Sequence, residues 1–176
     1  VHPLPAQMPE VWLLGSSGQS AAWAGVHDLN YAYAQFFTGH QQVEIMNHYR
    51  AHLPEGSGRG SIHGGQTLSA LCVSAAATRE EAREQALVAA DARFSLRTGR
   101  PMRFRDPATL DAAYRAEVER YLERDTAIIV GTYDEVAQAL SSFAENHGTE
   151  EVMLISYIDD VEVRTHQYAE LAARLL

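Results

Sequence analysis

Lysine is absent from this 176-residue chain, and all fourteen basic residues are arginines. Twenty-three acidic residues outnumber them, giving a formal charge of −9. Nucleic-acid binding needs clustered positive charge, so this balance argues against it. The missing lysine itself reads as compositional bias. Cysteine is almost absent as well. A lone Cys72 cannot form an intrachain disulfide, and a reducing cytoplasmic setting is the natural reading. It lies in the apolar stretch LSALCVSAA with no base nearby in sequence to lower its pKa, which marks a buried structural thiol and not a nucleophile. No apolar run approaches the roughly 20 residues of a membrane-spanning helix. The sequence has no Gly-Lys-Ser/Thr phosphate loop, no dinucleotide glycine fingerprint and no His-Glu-x-x-His. Eight histidines occur, but His40, His48, His52 and His63 are scattered around one loop region. Surface or supporting roles fit them better than a metal site.

What remains is a globular composition, 46% apolar and 21% charged, in a length that suits one domain. The opening VHPLPAQMPE has three prolines and no signal-like basic or hydrophobic region. It reads as an extended connector, as expected of a chain processed or cut from a longer protein. Val11-Trp12-Leu13-Leu14 then has the short, continuous apolar character of a strand buried on both faces. A Gly-Ser segment follows, then a helix over 21–26, a strand over 30–37 and an amphipathic helix carrying Val43, Ile45, Met46 and Tyr49. Residues 54–65 are glycine-rich and read as a mobile surface loop.

A third strand is expected over 67–75. Thr78 and Glu81 have the spacing of a capping box for the next helix, whose buried stripe is Ala82, Ala86, Leu87, Ala90 and Phe94. Beyond a basic loop with Arg97, Arg100, Arg103 and Arg105, Asp106-Pro107 is placed to start another helix. Residues 127–130 form a short apolar segment. Thr132 and Glu135 repeat the capping box, Gly148 stops that helix, and a strand over 152–158 precedes a closing helix over 165–176. Strand–helix alternation of this kind means a parallel sheet with right-handed crossovers. The expected fold is α/β: TIM-barrel-type (β/α) units, four of them, making half of a (β/α)8 barrel in one domain over 1–176. Such a half leaves two open sheet edges that something must cover.

The segment that carries chemistry is VWLLGSSGQSAAWAGVHDLNYAYAQFF, residues 11–37. A buried strand runs through a Gly-Ser loop into a helix amino terminus, where unpaired N–H groups and the helix dipole favour an anion. Gly15 and Gly18 permit close backbone approach, Ser16, Ser17 and Ser20 offer hydroxyls, and Gln19 offers an amide. Phosphate-monoester binding is one reading; a plain serine-capped helix after a tight turn is the other. Asp159, beyond the last strand, and the basic loop are weaker candidates for the site. Glu80-Glu81 reads as a helix amino-terminal charge cluster, and Trp12 and Trp23 as packing residues.

These residues resemble the fifth and sixth β/α units of the bacterial luciferase-like flavin-dependent monooxygenases. Ala75-Ala76-Ala77-Thr78-Arg79-Glu80-Glu81-Ala82 is similar to that family's A-x-T-x-E-E-A step. Ile129-Val130-Gly131-Thr132, with Asp134-Glu135-Val136 and Glu151-Val152-Met153-Leu154, resembles its closing pattern. The similarity runs through nearly the whole chain, in the order of the family's carboxy-terminal half. It implies a flavoprotein that uses reduced FMN, or alternatively F420, with oxygen on a small organic substrate. By resemblance Gly15, Ser16, Ser17, Gln19 and Ser20 hold the cofactor phosphate, while no catalytic residue is assigned. The family's four amino-terminal strands have no counterpart here, so pairing with that missing half, or homodimerisation, is expected. A non-catalytic flavin-binding or assembly half-barrel that dimerises is the alternative.

Overall fold

The computed structural model describes residues 9–39, 42–57, 64–149 and 151–176. β1 (Trp12–Gly15) leads into α1 (Gly18–Val26), β2 (Asn30–Ala34) into α2 (Gln35–Thr38) and α3 (Val43–Ala51), and β3 (Thr67–Ala76) into α4 (Arg79–Arg97). A 3₁₀ turn (Pro107–Thr109) and α5 (Ala112–Leu122) precede β4 (Ile128–Thr132), α6 (Tyr133–His147), β5 (Glu151–Ile155) and α7 (Val161–Leu175).

Among the described residues every strand pairing is parallel, and β3 takes part in three of the four. Its first half pairs with β2 through Thr67–Ala70 and with β5 through Leu68–Cys72. Cys72 is in register with both Ile128 of β4 and Ile155 of β5, so those two strands lie on opposite edges of β3. β4 therefore continues the side that β2 leaves at Ala34. At the level of Leu68 the sheet is four strands wide, in the order β1-β2-β3-β5. This is the expected α/β architecture of TIM-barrel type.

Side chains alternate between the faces of a strand, and the hydrophobic core divides by that parity. Leu71, Val73 and Ala75 of β3 join Tyr31 and Tyr33 of β2 in one cluster with residues of α1, α3, α6 and α7. Cys72 belongs to a second cluster on the other face, built with Ala86, Leu87 and Ala90 of α4 and Val118 and Leu122 of α5. In a closed barrel that second face is filled by side chains from the remaining strands. Here α4 and α5 cover it only around β3 and β4, and Leu14 and Met153, on the outer strands, are left 61% and 51% exposed.

Several boundaries differ from the sequence reading. The second strand ends at Ala34 and not at Phe37. The buried Gln35 side chain donates to Thr126 O, Arg93 donates to Phe36 O, and Gly39 in the left-handed region closes a helical turn onto Gln35 O. Asp106 caps only the 3₁₀ turn, while Asp111 caps the α-helix that follows, accepting from Tyr114 N. Residues 127–130 lie largely in a true strand, β4. At Thr78 only half of the capping box forms, with its hydroxyl accepting from Glu81 N. At Thr132 both halves form, and Gly148 ends that helix at φ 57°. The last strand stops at Ile155, because Asp160 starts α7 earlier by accepting from Glu162 N and Val163 N. Trp23 is exposed and edges onto His27, so it is not a core residue. Cys72 is buried, and burial pushes its thiol up to about 12.

Candidate anion-binding site at the end of the first strand

β1 delivers the chain to its carboxyl end at Gly15, the end at which barrel folds place their sites. Ser16 and an extended Ser17 follow, and Ser17 is the N-cap of α1 (φ −131°, ψ 157°). Ser17 Oγ accepts from Ser20 N at 3.3 Å, and Ser17 N donates to Ser20 Oγ at 3.3 Å, a reciprocal capping box built from two serines. Ser20 Oγ also donates to Ser17 O at 2.8 Å. Helix geometry leaves the Gly18 and Gln19 N–H groups without intrahelical acceptors.

A residue that sequence reasoning missed locks this loop. Tyr31, fully buried on β2, donates its hydroxyl to Gly15 O at 3.0 Å and lies 3.2 Å from Ser20 Oγ. Burial raises its pKa, which keeps it a neutral donor. The available signal was general: a tyrosine inside an apolar strand needs a partner for its hydroxyl, and Tyr31 is in register with Leu13, two residues before Gly15. The approach is close enough that a Cβ at position 15 would overlap Ser20 Oγ and Cβ. Gly15 is therefore required by packing.

The sequence-derived candidates thus separate by role. Gly15, Ser17 and Ser20 are joined in one hydrogen-bonded unit with Tyr31. Ser20 is engaged within it. Ser17 and Gln19 are exposed, and Ser16 is half-buried. A Cβ on Gly18 would meet only His48 Cδ2 of α3, at 3.6 Å, so the space before α1 is open and bordered by a histidine. The first turn of α1 carries no acidic residue, whereas α4, α6 and α7 have Glu80 and Glu81, Asp134 and Glu135, and Glu162 there. The positive end of the α1 dipole is left without an anion of its own.

The other candidates lie elsewhere. Asp159 is exposed. Arg105 is tied to buried Asp91 at 2.8 and 2.5 Å, Tyr114 donates to the same carboxylate, and Arg100 lies over the Tyr114 ring. That part of the basic loop is structural. His48 and His52 are neighbours, with ring centroids 4.5 Å apart; His40 and His63 lie outside the described residues, as does much of the glycine-rich loop. Among the described residues no group of three His, Cys, Asp or Glu side chains could hold a metal. A groove of about 490 Å³ runs along β4 between Arg79, Arg83, Leu122, Ile128, Val130 and Glu135, and none of the loop residues lines it.

No family model matches the chain. Individual proteins do. N-acetyl-S-alkylcysteine monooxygenase of Bacillus subtilis (strain 168) is 27% identical over 179 residues, which cover 99% of this chain and 52% of that protein. The crystal structure of apo-MsnO8 superposes with a TM-score of 0.79 at 27% identity, over 99% of this chain and 53% of the other. In sequence and in fold the chain is thus similar to luciferase-like monooxygenases. It spans about half the length of the curated relatives it matches. A more distant neighbour shares the fold: the oxygenating constituent of 3,6-diketocamphane monooxygenase from Pseudomonas putida, solved in complex with FMN. Its TM-score is 0.56 at 17% identity, over 96% of this chain and 49% of that one. No helix among the described residues is long and apolar enough to cross a membrane.

Proposed function

We propose that this chain is the cofactor-binding, carboxy-terminal half of a flavin-dependent luciferase-like monooxygenase, and that residues 15–20 receive the phosphate of reduced FMN. The carrying observation is the open amino terminus of α1, free of acidic residues and placed by Gly15 and Tyr31 at the carboxyl end of β1. The N–H groups of Gly18 and Gln19 and the hydroxyls of Ser16 and Ser17 are the donors, with Gln19 and His48 at the rim. Ser20 and Tyr31 hold the loop in shape. Bound flavin supplies the oxygen and electron chemistry; this chain anchors and orients it. The substrate class is a small organic molecule, and the completed barrel supplies the rest of the pocket, either from the missing half or from a second copy. Cytoplasmic residence suits the buried free thiol. The non-catalytic alternative uses the same anchor without turnover.

Anaerobic calorimetry tests this with reduced FMN, reduced riboflavin and reduced F420. Riboflavin lacks the phosphate, so FMN should bind at least tenfold more tightly, the equivalent of one charge-assisted hydrogen bond of about 1.5 kcal/mol. Equal binding of FMN and riboflavin would remove the phosphate from residues 15–20. Tighter binding of F420 than of FMN would identify the deazaflavin as the cofactor.

A further inference from the structure

Two deeply buried side chains, one on β3 and one at the end of α6, each hold a polar atom that nothing in the fold satisfies. Ser69 and His147 are 0% and 3% exposed. Among the described residues, Ser69 Oγ and His147 Nε2 have no hydrogen-bond partner, and they are not bonded to each other. A buried polar atom that has lost its hydration destabilises a fold unless something replaces it, and the usual replacement is an ordered water.

Three observations bring the two atoms to one place. The first is height along the sheet. α6 starts at Thr132, in register with Ala76 of β3, and the chain re-enters the sheet at Glu151, in register with Leu68. The 15 residues of α6 rise about 22 Å at 1.5 Å each, and Ser69 lies about 23 Å below Ala76 at 3.3 Å per residue. His147, the last residue of α6, therefore ends at the level of Ser69. The second is lateral position. Ser69 is in register with Tyr33 on one side and Val152 on the other, and the Tyr33 ring is stacked with that of His147 at 6.2 Å between centroids. The third is the face. Ser69 shares the parity of Leu71 and Val73, so it points into the core cluster that contains Tyr33, Val152 and Phe143 of α6. Phe143 is stacked on His147.

The chemistry of the pair selects the occupant. His147 Nδ1 lies 2.9 Å from Phe143 O, and a carbonyl only accepts, so Nδ1 carries the proton and Nε2 offers a lone pair. The Ser69 hydroxyl can both donate and accept. A cation is disfavoured because the Arg50 guanidinium donates to His147 O at 2.7 Å. An anion would face the Nε2 lone pair, and an apolar group would leave both atoms unpaired. A neutral molecule that donates and accepts satisfies them. Ser69 is short on a face otherwise carried by Leu71 and Val73, and a water needs about 30 Å³. We propose that one ordered water bridges His147 Nε2 and Ser69 Oγ, donating a hydrogen bond to the imidazole and tying the end of α6 to the centre of the sheet. This site does not depend on the flavin reading.

A high-resolution crystal structure of the chain is the direct test. The expected result is a well-ordered water within hydrogen-bond distance of both Ser69 Oγ and His147 Nε2. A direct hydrogen bond between the two side chains, or no water touching both, would overturn the proposal. Oxygen-17 magnetic relaxation dispersion gives an independent count of long-lived internal waters in solution. His147→Phe keeps an aromatic ring in the stack and removes the lone pair; Ser69→Val removes the hydroxyl and fills its space. Each variant should hold one long-lived water fewer than the wild type, with near-UV circular dichroism confirming that its core remains packed. An unchanged count in a folded variant would also overturn the proposal. The wild-type crystal structure decides the question even if neither variant folds. No flavin is present in either experiment, so failure here is separate from failure of the phosphate assignment.

Discussion

Removing one oxygen atom, in Tyr31→Phe, should loosen the loop without opening a cavity. The Tyr31 hydroxyl donates to Gly15 O and touches Ser20 Oγ, and the ring is fully buried and stacked on Tyr49 at 5.4 Å. The substitution leaves Gly15 O without its donor and Ser20 with one neighbour fewer. A net hydrogen bond contributes about 1 kcal/mol, and a part-buried carbonyl left unsatisfied raises the loss to about 1–2 kcal/mol. With a urea m-value of about 2 kcal/mol/M, the midpoint should fall by about 0.5–1 M at unchanged slope. Ser20→Ala removes the other side of the same contact, together with its bonds to Ser17. The two residues share partners, so the double substitution should cost less than the sum of the singles, by about 0.5 kcal/mol or more. Urea unfolding followed by circular dichroism, at one fixed protein concentration, reads all three variants. Strict additivity, or no loss in Tyr31→Phe, would show that the tyrosine does not lock the loop.

Two further outcomes follow from buried groups. His147 is buried, with its ring stacked 3.7 Å from Phe143, and burial lowers its pKa. The folded chain holds it neutral while the unfolded chain protonates it below about 6.5, so stability should fall as pH drops from 6.5 towards the folded value. The midpoint of urea unfolding from pH 7.5 to 5.5 should show this, and His147→Phe should flatten that part of the profile. The Cys72 thiol, pushed up to about 12, should resist a disulfide reagent at pH 8 in the folded chain and react once urea unfolds it; rapid labelling of the folded chain would contradict its burial.

Much of the fold was legible because its signals are local. Short continuous apolar runs gave the parallel strands, and Thr132 with Glu135 and Gly148 marked both ends of α6. The misread boundaries turn on long-range partners. Phe36 and Phe37 have strand-like chemistry, but Gln35 reaches Thr126, 91 residues away, and ends the strand at Ala34. Asp106-Pro107 has the right chemistry for a helix start, yet Asp111 captures that role five residues later. Covering of the inner face by α4 and α5 depends on which side of β3 each helix crosses, and side-chain periodicity does not encode that choice. The Gly-Ser loop was found through its composition. Ser20 could not be separated from Ser16 and Ser17 without Tyr31, whose place opposite the loop is set by strand register.

The central claim, a phosphate held at the amino terminus of α1, is tested most directly by Gly18→Asp. Gly18 is the first residue of α1, it has open space for a Cβ, and no first-turn acid is present. A carboxylate there complements the helix dipole and should leave stability unchanged or raise it by about 0.3–1 kcal/mol. The same charge should repel a phosphate. The account predicts a chain at least as stable as the wild type whose affinity for reduced FMN falls to that for reduced riboflavin. Undiminished FMN binding by Gly18→Asp would contradict it.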